Sequence, residues 1–335
     1  MKLEIKLEII LKLVSGIALW GRMRSKYKIS LSVAFLILIL SFRLYLISKS
    51  KNEISVIGNY LIKTTKKISK SSNFVSKTRI PKLIHQTNNV SSFSEMPCYI
   101  RYWAKTWNFK NLGFQHIIWD DKSMYDMVKA EFGNLGNTSR ILEAYERLPF
   151  VVQKSDFFRY LVVLRYGGVY SDIDTECIKS IDEWVLNYDG VSFITGVEYW
   201  DHILQWTFAA IPNHPFFKLL VDHITERILS SDDIYLNDID QIVGLTGPGS
   251  YTNILQVYLT EKGFNLNSVY GNPNANLLGD TLVHSVTGFS PQFGPGSEGL
   301  SSPKAMVAHK LNGSWKKNWN ADKTGWFDNP ECRRS

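Results

Sequence analysis

Residues 155–175 read Ser155-Asp156-Phe157-Phe158-Arg159-Tyr160-Leu161-Val162-Val163-Leu164-Arg165-Tyr166-Gly167-Gly168-Val169-Tyr170-Ser171-Asp172-Ile173-Asp174-Thr175. An apolar helical run ends at Gly167 and Gly168, and a short strand follows. Asp172 and Asp174 then stand one residue apart where that strand ends. Two carboxylates at this spacing on the lip of a sheet form a small hard-oxygen site suited to Mn²⁺ or Mg²⁺. A divalent cation held with its remaining positions open is what turns a nucleotide diphosphate into a good leaving group.

A lone Asp-x-Asp is also common in solvated turns, so the surroundings decide. Asp156, Arg159, Tyr160 and Val163 fall at i, i+3, i+4 and i+7, which puts a charged pair on one stripe of an otherwise apolar helix. Buried there without polar partners, the pair would be costly. It reads either as a structural ion pair or, favoured here, as donors and acceptors for hydroxyls and phosphates near the two aspartates. Phosphotransferases that use two Asp one residue apart want a long apolar strand before them and Thr or Val two places after. Here Glu176 occupies that later position. The stretch therefore predicts the donor site of a transferase that uses a sugar nucleotide.

Working outward, charge divides the chain. Residues 1–78 carry 15 Lys and Arg against 3 acidic residues, and the remainder carries 23 against 28. The basic character belongs to the N-terminal region, and the mildly acidic main domain is a poor match for nucleic acid. Residues 29–48 are predominantly apolar, with Arg43 near one end, and long enough to cross a bilayer as a helix. A cleaved signal peptide competes with this reading, but no clear small-residue cleavage site follows Ile47. The expected organisation is a cytoplasmic tail (1–28), a transmembrane signal anchor (29–48), a Lys- and Ser-rich stem (49–78) and a catalytic domain (79–335). The three cysteines, Cys98, Cys177 and Cys332, allow at most one internal bridge. Sequons at Asn89, Asn137 and Asn312 agree with a lumenal domain.

Within the main domain, Leu83-Ile84 and Phe114–Trp119 read as buried strands, with helices over 97–108 and 122–132 and a capping signal at Asp120-Asp121. This alternation predicts an α/β fold, a mainly parallel Rossmann-like sheet flanked by helices. Ligands in such sheets bind beyond the carboxyl ends of the strands. His85 and Gln86, at the end of the first strand, are expected to face the nucleotide; a packed His85 is the alternative. Thr246-Gly247-Pro248-Gly249 reads as a tight turn entering a helix over 251–259. The aromatic-rich middle, Trp200-Asp201 and Gln205-Trp206, is expected to recognise an acceptor sugar.

Gly167-Gly168-x-Tyr170-x-Asp172-x-Asp174 resembles the signature of the family 32 glycosyltransferases with a DXD sugar-binding region. Ile80–Thr87, Gln205–Ala210 with Pro212 and His214-Pro215, Thr246–Gly249, Ser285–Pro291, His309 and Gly313-Ser314-Trp315 follow in the family's order. Together they resemble the fungal initiation-specific α-1,6-mannosyltransferases. The resemblance implies a GT-A type domain, a single-pass type II protein of the Golgi membrane, GDP-mannose as donor and the oligomannose of N-linked glycans as acceptor. It implies that Asp156, Arg159, Tyr170 and Asp172 contact the donor, that Ser314 and Trp315 touch the diphosphate, and that Asp172, Asp174 and His309 hold the metal, with a packed His309 as the alternative. It implies transfer with retention, either through a carboxylate nucleophile (Asp156, Glu198 or Asp201) or by attack on the face of the leaving group. Two further readings stand beside it: a family member acting on inositol phosphorylceramide, and a non-catalytic subunit of a complex with other mannosyltransferases.

Overall fold

The computed structural model describes residues 79–133, 139–198, 201–230, 239–291, 296–311 and 326–333. The expected tail, anchor and stem, together with Trp200, Ser314, Trp315, Asn137 and Asn312, lie outside the described residues. Among the described residues no helix is long and apolar enough to cross a membrane.

The chain enters the sheet as Leu83–Thr87 (β1), crosses through the helix Cys98–Lys110 (α1) and returns as Gln115–Trp119 (β2). Asp120 caps the helix Asp121–Phe132 (α2): its carboxylate accepts from the Ser123 amide, and the Ser123 hydroxyl accepts from the Asp120 amide. Helices Ser139–Arg147 (α3) and Val151–Tyr166 (α4) precede Gly168–Ser171 (β3). Thr175–Cys177 (β4) and Ile181–Trp184 (α5) lead to Phe193–Gly196 (β5) and Thr207–Ala210 (β6). Pro215–Ser230 (α6), Ile239–Leu245 (α7) and Pro248–Glu261 (α8) follow. The last elements are Asn276–Leu278 (β7), Thr281–His284 (β8), Val286–Phe289 (α9) and Val307–His309 (β9). Helix α8 opens inside the Thr-Gly-Pro-Gly run, because Pro248 at the first helical position has no amide proton to leave unpaired.

Seven strands form one sheet in the order β2-β1-β3-β6-β5-β8-β7, and β4 pairs with β9 in a separate ribbon. The sheet is mixed rather than mainly parallel. Strands β2, β1 and β3 run parallel, as do β5 and β8, but β6 is antiparallel to both of its neighbours and β7 to β8. The alternation of strand and helix ends at β3. Beyond it, β5 and β6 are joined by a short hairpin closed by a Val197–Ile203 bridge, and a connection that short can only return antiparallel.

Side-chain alternation divides the sheet between two cores. Tyr170, Phe193, Phe208 and Val283 face α2, α3, α4, α6 and α8 on one side. Ile84, Val169, Ile194 and Leu282 face Trp107 of α1, Trp184 of α5 and Phe289 of α9 on the other. Helix α4 is enclosed almost completely, with every residue from Asp156 to Leu164 buried.

The join between α4 and β3 requires its two glycines. Gly167 has φ 65° and Gly168 φ 95°, in the region that side chains avoid. A Cβ on Gly167 would lie 2.7 Å from the ring of Pro212, and one on Gly168 2.7 Å from the Leu83 carbonyl oxygen. Only a bare backbone lets α4 reverse into a strand packed directly against β1.

Cys98 and Cys332 form a disulfide spanning 234 residues of sequence, and Cys177 is a buried free thiol. The bridge fastens the C-terminal segment to the start of α1, where the Trp326 and Trp103 rings meet edge to face at 5.0 Å and Glu331 pairs with Lys105 at 2.9 Å. Replacing Cys98 with Ser is expected to cost about 2–4 kcal/mol of stability. Urea denaturation with and without a reductant measures this: the reductant should lower the wild-type midpoint to that of Cys98→Ser and leave the variant unmoved.

Candidate active site

Strand β3 ends against the start of β6, with Ser171 paired to Thr207. The next residue, Asp172, has its backbone held from both sides: its amide donates to the Trp206 carbonyl at 2.8 Å, and its carbonyl accepts from the Gln86 side-chain amide at 3.0 Å. The Thr175 hydroxyl also donates to that carbonyl, at 2.6 Å, and closes the turn that carries Asp172-Ile173-Asp174. The β4–β9 ribbon then sets Thr175 opposite His309, and the Lys310 amide donates to the Asp174 carbonyl at 2.8 Å. Register thus brings a histidine 135 residues downstream to the second aspartate, with His309 Nε2 3.2 Å from Asp174 Oδ1.

Asp172, Asp174 and His309 offer ligand atoms that all lie within 4.8 Å of one another. Two carboxylates and an imidazole are a donor set for a divalent cation of the Mn²⁺ or Mg²⁺ kind. The electrostatics agree. Burial pushes the Asp172 carboxyl above its ordinary range against the pull of Arg159, and the charge of Asp174 pushes the same way. Burial works to lower His309, but Asp174, Asp172 and Glu198 outweigh it and hold the imidazole up. A cation among these groups would relieve the carboxylate repulsion and take the place of the imidazole proton.

Behind the aspartates lies a buried polar cluster. One turn apart on α4, Arg159 reaches Asp156 Oδ1 at 2.8 Å with Nη1 and Asp172 Oδ1 at 3.1 Å with Nη2. Nη1 also donates to Gln205 Oε1. The Gln205 amide nitrogen donates to Asp156 Oδ1 at 3.2 Å, and the Thr246 hydroxyl to Asp156 Oδ2 at 3.2 Å. Tyr170, two residues before Asp172, donates to Asp172 Oδ1 at 2.8 Å and lies under the guanidinium, 5.2 Å from Cζ to ring centroid. Burial raises the Asp156 carboxyl to about 6, with Arg159 the main opposing influence.

The expected site residues fall into distinct places. Asp156, Arg159, Tyr170, Asp172, Asp174 and His309 converge. His85 does not face a ligand: it is fully buried, Nε2 lies 3.1 Å from the Gly167 carbonyl, and Nδ1 accepts from the Trp119 indole at 3.2 Å. Burial lowers it to about 4, so the imidazole is neutral and donates to the glycine turn. Gln86 is likewise internal, spanning His116 and the Asp172 backbone. Gln205 and Trp206, expected at an acceptor surface, are both buried. Gln205 completes the Arg159 cluster, and Trp206 stacks on His309 with ring centroids 4.6 Å apart. Asp201 is exposed on the hairpin beside His202.

Residues 97–190 match the family described as the glycosyltransferase sugar-binding region containing a DXD motif, a span that holds α4, the glycine turn and both aspartates. The chain thus carries a DXD glycosyltransferase region. The chain is 34% identical over 259 residues to an initiation-specific α-1,6-mannosyltransferase of Schizosaccharomyces pombe, covering 71% of this chain and 64% of that relative. It is 29% identical over 283 residues to the Candida albicans protein of the same description, covering 70% and 72%. An inositol phosphoceramide mannosyltransferase of Schizosaccharomyces pombe is 26% identical over 185 residues, covering 53% and 47%. The chain therefore spans a little under two thirds of the length of the first of these relatives.

Sequence reasoning missed Thr246 and the inward use of Gln205, while Thr87, which ends β1, does reach the site. Thr87 shares the Tyr170 hydroxyl at 3.1 Å. Gln205 and Trp206 lie in the bend just before β6, so strand alternation gives no signal for which way each points.

Removing the guanidinium is expected to expose how far the cluster depends on it. Arg159→Met should cost about 3–5 kcal/mol at pH 8, because Asp156 is left buried without its cation. Asp156 already sits above its ordinary 3.8, and the loss of Arg159 raises it further. A carboxyl raised on folding burdens the native state most at high pH, so the deficit should shrink as pH falls towards 5. Urea denaturation at pH 8 and pH 5 checks this, and a pH-independent deficit would contradict it.

Proposed function

We propose that this chain is a GT-A type α-1,6-mannosyltransferase that moves mannose from GDP-mannose to the oligomannose of N-linked glycans. On this reading it acts in the Golgi lumen behind an N-terminal membrane anchor. The observation that carries the chemistry is the Asp172–Asp174–His309 group on the lip of the sheet, one guanidinium away from Asp156. The higher identity and wider coverage of the initiation-specific mannosyltransferases favour this acceptor over inositol phosphorylceramide. The presence of both aspartates favours a catalyst over a non-catalytic subunit.

Asp172, Asp174 and His309 would hold the cation, Mn²⁺ or Mg²⁺, which when bound supplies charge to the departing diphosphate. The chain's own residues prepare for that step. Arg159 fixes the inner oxygen of Asp172, and the Tyr170 hydroxyl shares it, which leaves the outer oxygen for ligation. Lys310, the residue after His309, pairs with Glu176 at 2.7 Å. The bond from the anomeric carbon to phosphate oxygen breaks as the acceptor 6-hydroxyl oxygen bonds to that carbon on the same face, and the hydroxyl proton passes to the departing phosphate. The front-face route is favoured because Asp156, one of three candidate nucleophiles, has both carboxylate oxygens engaged by protein donors. Glu198, the second, is hydrogen-bonded to Trp206.

The test incubates the protein with GDP-mannose, Mn²⁺ and an oligomannose N-glycan, with inositol phosphorylceramide in parallel. Mannose transfer to the glycan, removable by an α-1,6-specific mannosidase and reduced about 10²–10³-fold in Asp174→Asn, is the expected result. Transfer only to the lipid would move the reading to the other acceptor. Neither transfer nor hydrolysis by a folded, Mn²⁺-loaded protein would overturn it.

A further inference from the structure

The hairpin between β5 and β6 does more than connect strands. Glu198 lies on its outgoing arm and Trp206 on its returning arm, and the Glu198 amide donates to the His202 carbonyl at 2.9 Å across the turn. The Trp206 indole N–H donates to Glu198 Oε1 at 3.2 Å. Its ring is 5% exposed and lies nearly parallel to the His309 imidazole, at 23° and 4.6 Å between centroids. One face of His309 is thereby covered, while its Nε2 stays directed at Asp174. An imidazole on a strand end can still rotate about its side-chain bonds, and a plane stacked against it removes that freedom. The stacking plane would itself be free to turn if its buried N–H had no acceptor, and Glu198 provides one.

We propose that Trp206, locked by Glu198, is the positioning residue that holds His309 in the orientation needed to ligate a divalent cation beside Asp172 and Asp174. The proposal rests on the metal reading of that site and deepens it. Groups that orient a metal-ligating histidine commonly change metal affinity 10–100-fold when removed. Most do so through a hydrogen bond to the second ring nitrogen; here the contact is a stack, and the hydrogen bond lies one residue further out.

The experiment measures Mn²⁺ affinity without donor or acceptor, from the electron paramagnetic resonance signal of free Mn²⁺, beside a thermal melt of each metal-free protein. Trp206→Leu is expected to weaken Mn²⁺ binding about tenfold. Trp206→Phe, which keeps a stacking ring, should recover most of that loss. Glu198→Gln keeps an oxygen that can accept from the indole and should stay within about twofold of wild type, whereas Glu198→Leu should weaken binding in the same direction as Trp206→Leu. In a His309→Ala background, Trp206→Leu should add less than about twofold, since the residue it positions is gone. Wild-type affinity in a folded Trp206→Leu protein overturns the brace. So does an undiminished loss in the His309→Ala background, which would mean that Trp206 acts through the Asp172 backbone instead. Failure of the wild-type protein to bind Mn²⁺ at all overturns the metal reading, and this inference falls with it; the two failures are therefore distinguishable.

Discussion

Arg159 is a permanent cation inside an apolar helix, and the arrangement of the site follows from satisfying it. A guanidinium keeps its proton at any pH a folded protein survives, so it cannot escape burial by becoming neutral. It must be paired. Asp156 meets it from the same helix, Asp172 from the strand end, Gln205 from the returning hairpin and the Tyr170 ring from below. Each group comes from a different turn or element, so correct docking of α4, β3 and the hairpin is also the condition for neutralising the charge. A lysine could not reproduce this, because a single ammonium has no planar fork with which to face two carboxylates and an amide together.

The glycine turn decides whether those groups can meet. Helix α4 reverses into β3 within two residues of positive φ, and the Gly168 backbone lies against Leu83 so closely that a methyl group would collide. That close approach sets the distance between Arg159, on the helix, and Asp172, four residues beyond the second glycine. His85 reinforces it by giving its one ring proton to the Gly167 carbonyl, a use that requires a neutral imidazole. Burial keeps it neutral. What looks from the sequence like a ligand-facing histidine is a clasp on the turn.

Local order was largely legible in the chain. Helix α4, the glycine turn, the strand after it, the capped helix α2 and the two aspartates all follow from periodicity and turn chemistry. The antiparallel half of the sheet was not, because strand direction depends on connection geometry and the β5–β6 hairpin carries no strong turn signal. Nor was the meeting of His309 with Asp174, which depends on the pairing of two three-residue strands far apart in sequence. Pairings that short are specified by what packs around them rather than by their own residues. The family resemblance supplied His309; residue spacing alone could not. For His85 and Gln86 their place at the end of the first strand pointed outward, and burial turns both inward.

Gln205 and Trp206 join the two halves of the site. From the bend just before β6, this dipeptide sends an amide into the Arg159 cluster and an indole onto His309. Its backbone carbonyl at Trp206 meanwhile accepts the Asp172 amide. The Arg159 cluster and the candidate metal ligands thus share one short length of main chain. A shift of that hairpin would disturb Asp156, Asp172 and His309 together. Groups that share partners in this way do not respond additively to substitution. The site is therefore better described as one cluster with two faces than as a metal centre placed beside a sugar pocket.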